Sequence, residues 1–315
     1  MNRLSLEPGS VAVPQKAQRR TLLFFAYTAL FFALPVHGFW QAFVPVEPAT
    51  LVWVQSGILA VLLLVAQIWQ PLRPLRGFVL IVLVVNTVTA LLIPFASSSA
   101  LWRGWFDVEN PTFWQANSGA MFLKLGATVL IIAVLLLMGL KRAEFYLVRG
   151  QVDAPAAPLR WLGIKSAVPW TTFGRNFALV SFTAILAVTL LPTLPRLGLG
   201  ALANALPLLP ATLLFAAANA IYEEVVFRAS YLSQLVHVVG GGHALAITVF
   251  YFGLGHLAGS IPSGVAGVLL AAFFAFFMGK AMLETGGMTW PWICHFAADA
   301  AVYLFLAVVF AAGAL

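Results

Sequence analysis

NAIYEEVVFRAS, from Asn219 to Ser230, places two carboxylates and a guanidinium at the end of an apolar run that begins near Leu202. A charged side chain at mid-bilayer costs roughly 2.5–3.5 kcal/mol on insertion scales, so such a cluster requires partners or a water-filled cavity. How this stretch is read depends on whether the run around it is a membrane helix. Of the 315 residues, 62% are hydrophobic and 9% charged, and mean hydropathy is +0.98, whereas a soluble domain carries about 25% charged residues. The apolar material falls into runs long enough for helices to cross a hydrocarbon core of ~30 Å. Backbone groups in lipid must pair internally, which favours helices. The expected fold is therefore all-α, a polytopic integral membrane protein of eight or nine transmembrane helices.

The predicted spans are 21–44, 49–69, 77–97, 118–140, 176–195, 202–226, 244–258, 264–283 and 290–313, the seventh short enough to be tilted or re-entrant. They divide the chain into a cytoplasmic tail (1–20), a four-helix membrane region (21–140), a basic loop (141–175) and a C-terminal helical membrane domain (176–315). The apolar run after the basic tail is longer than a signal-peptide core, and no A-x-A pattern follows it, so it reads as an uncleaved first span.

A net charge of +7 invites a nucleic-acid reading, but the basic residues are scattered among short loops. They report topology instead. With the N-terminus inside, inner segments hold fourteen of the seventeen Lys and Arg; only Arg103, Lys124 and Arg196 fall elsewhere. The sequence thus predicts a multi-pass protein of the plasma membrane, of bacterial inner-membrane type, with a cytoplasmic N-terminus and Arg228 near the cytoplasmic surface. Lys124, near the start of its span, is expected to snorkel to the outer interface. A single cysteine, Cys294, excludes an intrachain disulfide and reads as a packing residue. His37, His237 and His243 read as interhelical hydrogen-bonding or loop residues, and Glu284 as a loop residue beside Gly286 and Gly287.

Helix geometry sorts the opening cluster. Residues four apart share a face, so Glu224 and Arg228 can pair, while Glu223 points about 100° away. The same spacing recurs in YFGLGHLAG, with Phe252 and His256, and in WPWICHFAADA, with His295 and Asp299. Three helices can then converge a Glu, two His and an Asp. That set suffices for amide hydrolysis by water: Glu223 takes the proton, His256 helps hold the water, and His295 with Asp299 stabilises the oxyanion or leaving amine.

EEVVFR, FGLGH and HFAAD resemble E-E-x-x-x-R, F-x-x-x-H and H-x-x-x-N/D, the motifs of the CPBP family of CAAX proteases and bacteriocin-processing enzymes, also called Abi. The resemblance covers about residues 180–310. It implies a glutamic-type intramembrane endopeptidase with Glu223, His256, His295 and Asp299 as catalytic residues and Glu224, Arg228 and Phe252 in support. The fourth motif position is Asp here, whereas eukaryotic CAAX prenyl proteases have Asn. Glu plus two His also resembles a His₂Glu zinc set, but there is no H-E-x-x-H, and Glu223 cannot be both ligand and base. No cofactor is expected, with zinc the less favoured option.

The expected partners are the bilayer and a membrane-associated protein or peptide substrate, with no nucleic acid; the oligomeric state has no signal in the sequence. Two competing functions use the same residues. A proton- or ion-coupled transporter would also place carboxylates in the membrane, though such proteins often show paired repeats, and here the ionisable groups sit in one half of the chain. A non-catalytic immunity or scaffold member of the family is the other.

Overall fold

The computed structural model describes residues 16–34, 40, 47–258 and 261–314. Among these, seven helical segments are long and apolar enough to cross a membrane, in keeping with an all-α polytopic membrane protein. Shorter helices accompany them, among them α1 (Lys16–Phe32) and a 14-residue helix, Gly241–Leu254. The second half of the predicted first span, with His37, lies outside the described residues.

In the N-terminal half, α2 (Pro48–Ile68) is followed by a 3-10 turn that leads into α3 (Arg76–Thr87). A single π turn, Val88–Leu92, joins α3 to α4 (Ile93–Ser98), so 70–98 forms one helical path. The stretch between the predicted spans 77–97 and 118–140 contains a short helix, α5 (Ala100–Phe106), capped by Ser99, whose hydroxyl accepts from Trp102 N at 3.2 Å. The next helix, α6 (Phe113–Leu137), begins five residues before its predicted start. A capping box sets that boundary: Gln115 N donates to Thr112 Oγ1 at 3.3 Å and Thr112 N donates to Gln115 Oε1 at 3.0 Å.

The basic loop 141–175 runs as a strap. Its short strands β1 (Pro155–Ala156) and β2 (Val168–Pro169) pair antiparallel, and α7 (Trp170–Leu190) follows at once. The strap is fastened to the turn between the last two helices: Gln151 N donates to Thr285 O at 2.7 Å, and Met288 N to Val148 O at 2.9 Å. Trp290 Nε1 adds a bond to Val152 O at 2.6 Å. Gly150 and Gly287 approach so closely that a Cβ on either would strike the other's backbone. Glu284 is therefore not a loop residue. It lies inside a helix, paired with Lys280, and accepts from Trp170 Nε1 at 2.9 Å.

The C-terminal half holds two short helices, α8 (Leu194–Leu197) and α9 (Gly200–Ala205), then α10 (Leu209–Glu224), a π-helical segment (Val225–Leu232) and α11 (Ser233–Val239). The last three continue α9 through a 3-10 turn as one 40-residue path from Gly200 to Val239, so the helix does not end at 226 as the hydropathy implied. Wide π turns collect at functional sites; here Ser230 and Ser233 each turn a hydroxyl back onto a carbonyl four residues earlier. Gly240, at φ +86°, breaks the path, and exposed His237 and His243 flank it on helix ends. The chain returns as α12 (Gly241–Leu254), α13 (Gly264–Thr285) and α14 (Thr289–Ala311).

Packing follows small residues. Gly174 lets α7 lie on α14, because a Cβ there would run into the Trp290 ring, and Gly253 lets α12 meet α13 at Ala272. α10 packs against both α14 and α6. Cys294 fills part of the α7–α14 seam, its thiol directed at Gly174 O at 3.5 Å. Tyr251 ties α12 to α1 by donating to Ala33 O at 2.7 Å.

Candidate active site

The charged residues of NAIYEEVVFRAS sit inside the helical path rather than at its end, at the junction of α10 with the π segment. Glu224 is fully buried, and its Oε1 receives two groups: His295 Nδ1 at 2.7 Å, from α14, and the Arg228 guanidinium at 3.1 Å. The expected Glu224–Arg228 pair is present, and Glu224 also holds the imidazole. Arg228, 1% exposed, has no hydrogen-bond partner for its terminal nitrogens among the described residues. Besides the carboxylate it has the face of Phe252, 4.5 Å from the guanidinium carbon to the ring centre. Phe252 therefore underlies the buried cation.

Glu223 faces elsewhere, as spacing required, but it is not without partners. Its Oε1 accepts from Asn219 Nδ2 at 3.0 Å, and its Oε2 lies 3.4 Å from His295 Nε2. Asn219 Nδ2 also donates to Asp299 Oδ2 at 2.9 Å, so one amide joins two carboxylates on different helices. His295 and Asp299 share a helix face as expected, yet Asp299 Oδ1 stands 3.9 Å from Nε2. Glu224, rather than Asp299, makes the short contact that fixes the ring.

The structure thus brings Glu223, Glu224, Arg228, Phe252, His295 and Asp299 together. Among the described residues, His256 joins them only through Phe252. It falls in the turn just after α12, its ring 5.3 Å from that of Phe252 and its Nδ1 3.2 Å from Pro262 O, while His295 meets Phe252 at 6.1 Å. Among the described residues no group of three or more His, Cys, Asp or Glu is arranged to hold a metal ion. The donors do not fit a His₂Glu zinc set: both nitrogens of His295 face carboxylates and His256 is turned to a carbonyl.

Two residues of the site were not expected. Asn219 lies one turn before Glu223, a spacing that puts both on one face. Lys124 was read as snorkelling outward. Instead its ammonium donates to Asn219 Oδ1 at 2.5 Å and lies 5.5 Å from the Tyr222 ring centre. The reason is the earlier helix start: with α6 beginning at Phe113, Lys124 is at mid-helix, roughly 16 Å from its N-terminal end at 1.5 Å per residue. The interface is out of reach, and an internal acceptor takes its place.

A family model described as "Type II CAAX prenyl endopeptidase Rce1-like" matches residues 205–301. This segment is similar to the CAAX protease family. The match runs from the end of α9 into α14 and contains Asn219, Glu223, Glu224, Arg228, Phe252, His256, His295 and Asp299. Lys124 on α6 lies outside it. Nothing matches among curated proteins or among solved structures. The matched segment thus supplies a membrane-embedded acid, imidazole and cation cluster, and helices from both halves of the chain enclose it.

Proposed function

We propose that this protein is an intramembrane endopeptidase that hydrolyses a peptide bond of a membrane-associated protein or peptide with a water activated by Glu223. The observation that carries the reading is the orientation of that carboxylate: Asn219 holds one oxygen and the other faces His295 Nε2, while Glu224 fixes the opposite ring nitrogen. In this reading a water at Glu223 gives up its proton to the carboxylate as its oxygen attacks the scissile carbonyl carbon. The resulting oxyanion is met by a preorganised donor, for which His295 Nε2–H is in position. Collapse of the tetrahedral carbon breaks the C–N bond, and the leaving nitrogen takes back a proton from Glu223, so base and acid are the same group used twice. Arg228 and Phe252 keep Glu224 ionised-pair geometry intact, His256 lines the approach beside Phe252, and Asp299 shares the Asn219 amide with Glu223. The mechanism uses no cofactor.

The basic segments that lie inside by the positive-inside count include the strap, which is fastened to the start of α14. His295 is about two turns further along that helix, which puts cleavage near the inner leaflet. The test compares the termini of the membrane proteome in cells carrying the wild-type chain and Glu223→Gln. A set of new termini that vanishes with Glu223→Gln, while the variant still inserts, supports the reading. Identical termini in both overturn it.

A further inference from the structure

Lys124 belongs to the N-terminal membrane region, some eighty residues before the CAAX-protease segment begins at 205, yet its ammonium touches a residue that touches both Glu223 and Asp299. The chemistry of this chain of contacts has one consistent arrangement. An ammonium is donor-only, an ionised carboxylate is acceptor-only, and a primary amide presents one acceptor atom and one donor atom. With Lys124 on one side and two carboxylates on the other, Asn219 must turn Oδ1 to the lysine and Nδ2 to the acids. The amide is mostly buried, so a lost partner is not readily replaced by bulk water.

Charge supports the same assignment. Glu223, Glu224 and Asp299 bring three carboxylates into one apolar region, and Arg228 is spoken for by Glu224 at 3.1 Å. The cation on the Glu223–Asp299 side is Lys124. Where the family resemblance allows Asn at the position of Asp299, this chain has a carboxylate, and Lys124 supplies the opposing charge through the shared amide.

We propose that Lys124 is a positioning residue of the Glu223 site: it orients the Asn219 amide, which holds Glu223 and Asp299 in register, so that α6 completes the catalytic unit. The proposal rests on the endopeptidase reading above. Without the ammonium, Oδ1 loses its partner and the amide is held by the acids alone, so its position between Glu223 and Asp299 is no longer fixed from the α6 side. Small displacements of a catalytic group are costly, about 100-fold for 1 Å in favourable cases.

The experiment uses the full chain in lipid vesicles and, as probe, a synthetic peptide spanning a junction found by the termini comparison. Lys124→Met keeps the apolar stem and removes the donor. The expected result is a kcat lower by about 10- to 100-fold with KM within about twofold. Lys124→Arg, which keeps a charged donor, should recover most of that loss. Combining Lys124→Met with Asn219→Ala should lower kcat no further than Asn219→Ala alone, because both act through one contact. A Lys124→Met enzyme with wild-type kcat beside an inactive Glu223→Gln enzyme overturns the role of Lys124 and leaves the protease reading standing. Wild-type kcat in Glu223→Gln overturns both. A measurement on the unaltered chain guards against misfolded variants: solid-state NMR in bilayers should show a contact between Lys124 15Nζ and Asn219 13Cγ, and its absence overturns the proposal.

Discussion

Glu224 is the residue at which substitution separates stability from chemistry most sharply. A hydrogen bond from His295 Nδ1 at 2.7 Å and an ion pair with the Arg228 guanidinium at 3.1 Å converge on Oε1. In Glu224→Gln the amide oxygen can occupy that place and keep both contacts, so the change removes the charge and little else. Hydrogen bonds to charged groups are worth about 1.5–3 kcal/mol and neutral ones about 0.5–1.5 kcal/mol, so the downgraded His295 bond costs roughly 1–2 kcal/mol, and loss of the ion-pair attraction to Arg228 adds to it. Glu224→Ala removes the acceptor itself and strands a buried guanidinium, which costs about 3–5 kcal/mol. Unfolding of the full chain by SDS titration in mixed micelles measures both, and Ala should exceed Gln.

The double variant Glu224→Gln/Arg228→Met is decisive. Replacing a buried pair by apolar groups of similar size is often neutral, and Arg228 already sits against Phe252, where a methionine can pack. With Gln rather than an apolar residue at 224, the double variant should recover part of the loss and be more stable than the sum of its parts. It should not recover cleavage, because His295 Nδ1 then faces a neutral amide. Equal stability of Glu224→Gln and wild type, or a double variant as unstable as the sum of its parts, would refute the reasoning.

Gly174→Ala places a Cβ against the Trp290 ring, which is held from behind by its bond to Val152 O; overpacking of this kind should lower stability by about 1–3 kcal/mol in a thermal unfolding assay in detergent. Glu284→Gln weakens the acceptor for Trp170 Nε1 and the partner of Lys280, so limited proteolysis within 150–168 should become faster, and an unchanged rate would mean that the strap is held elsewhere.

The sequence made the fold class readable because hydropathy is additive along a helix and needs no knowledge of neighbours. It misplaced what depends on local hydrogen bonds. The hydropathy pattern ends the run from 202 at 226, where three charges lower it, yet those charges meet oppositely charged groups inside the bundle and the helix continues to Val239. The start of α6 was set by apolar content at 118, although Thr112 and Gln115 spell the capping box that begins it. That five-residue error moved Lys124 from mid-helix to the interface and hid its role. Asn219 went unnoticed for another reason: an uncharged amide carries no hydropathy penalty large enough to demand a partner.

The site residues show the same division between what spacing fixes and what tertiary contact decides. A shared helix face put Glu224 beside Arg228, but His295 also shares a face with Asp299, and the short contact went instead to Glu224 on another helix. Same-face spacing gives a distance limit, and the lower-energy partner within that limit is chosen across the helix seam. Asp299 is then free to share Asn219 with Glu223. The cluster consequently counts three carboxylates against Arg228, Lys124 and the His295 imidazole: it is neutral when the imidazole carries a proton and carries one net negative charge when it does not. A site buried in an apolar bundle that changes by a single charge, with each acid already hydrogen-bonded, can pass a proton to and from a water without assembling a new counterion. Removing Lys124 would leave one negative charge in the neutral state and two in the other, and this ties α6 to the charge balance of the segment similar to the CAAX proteases.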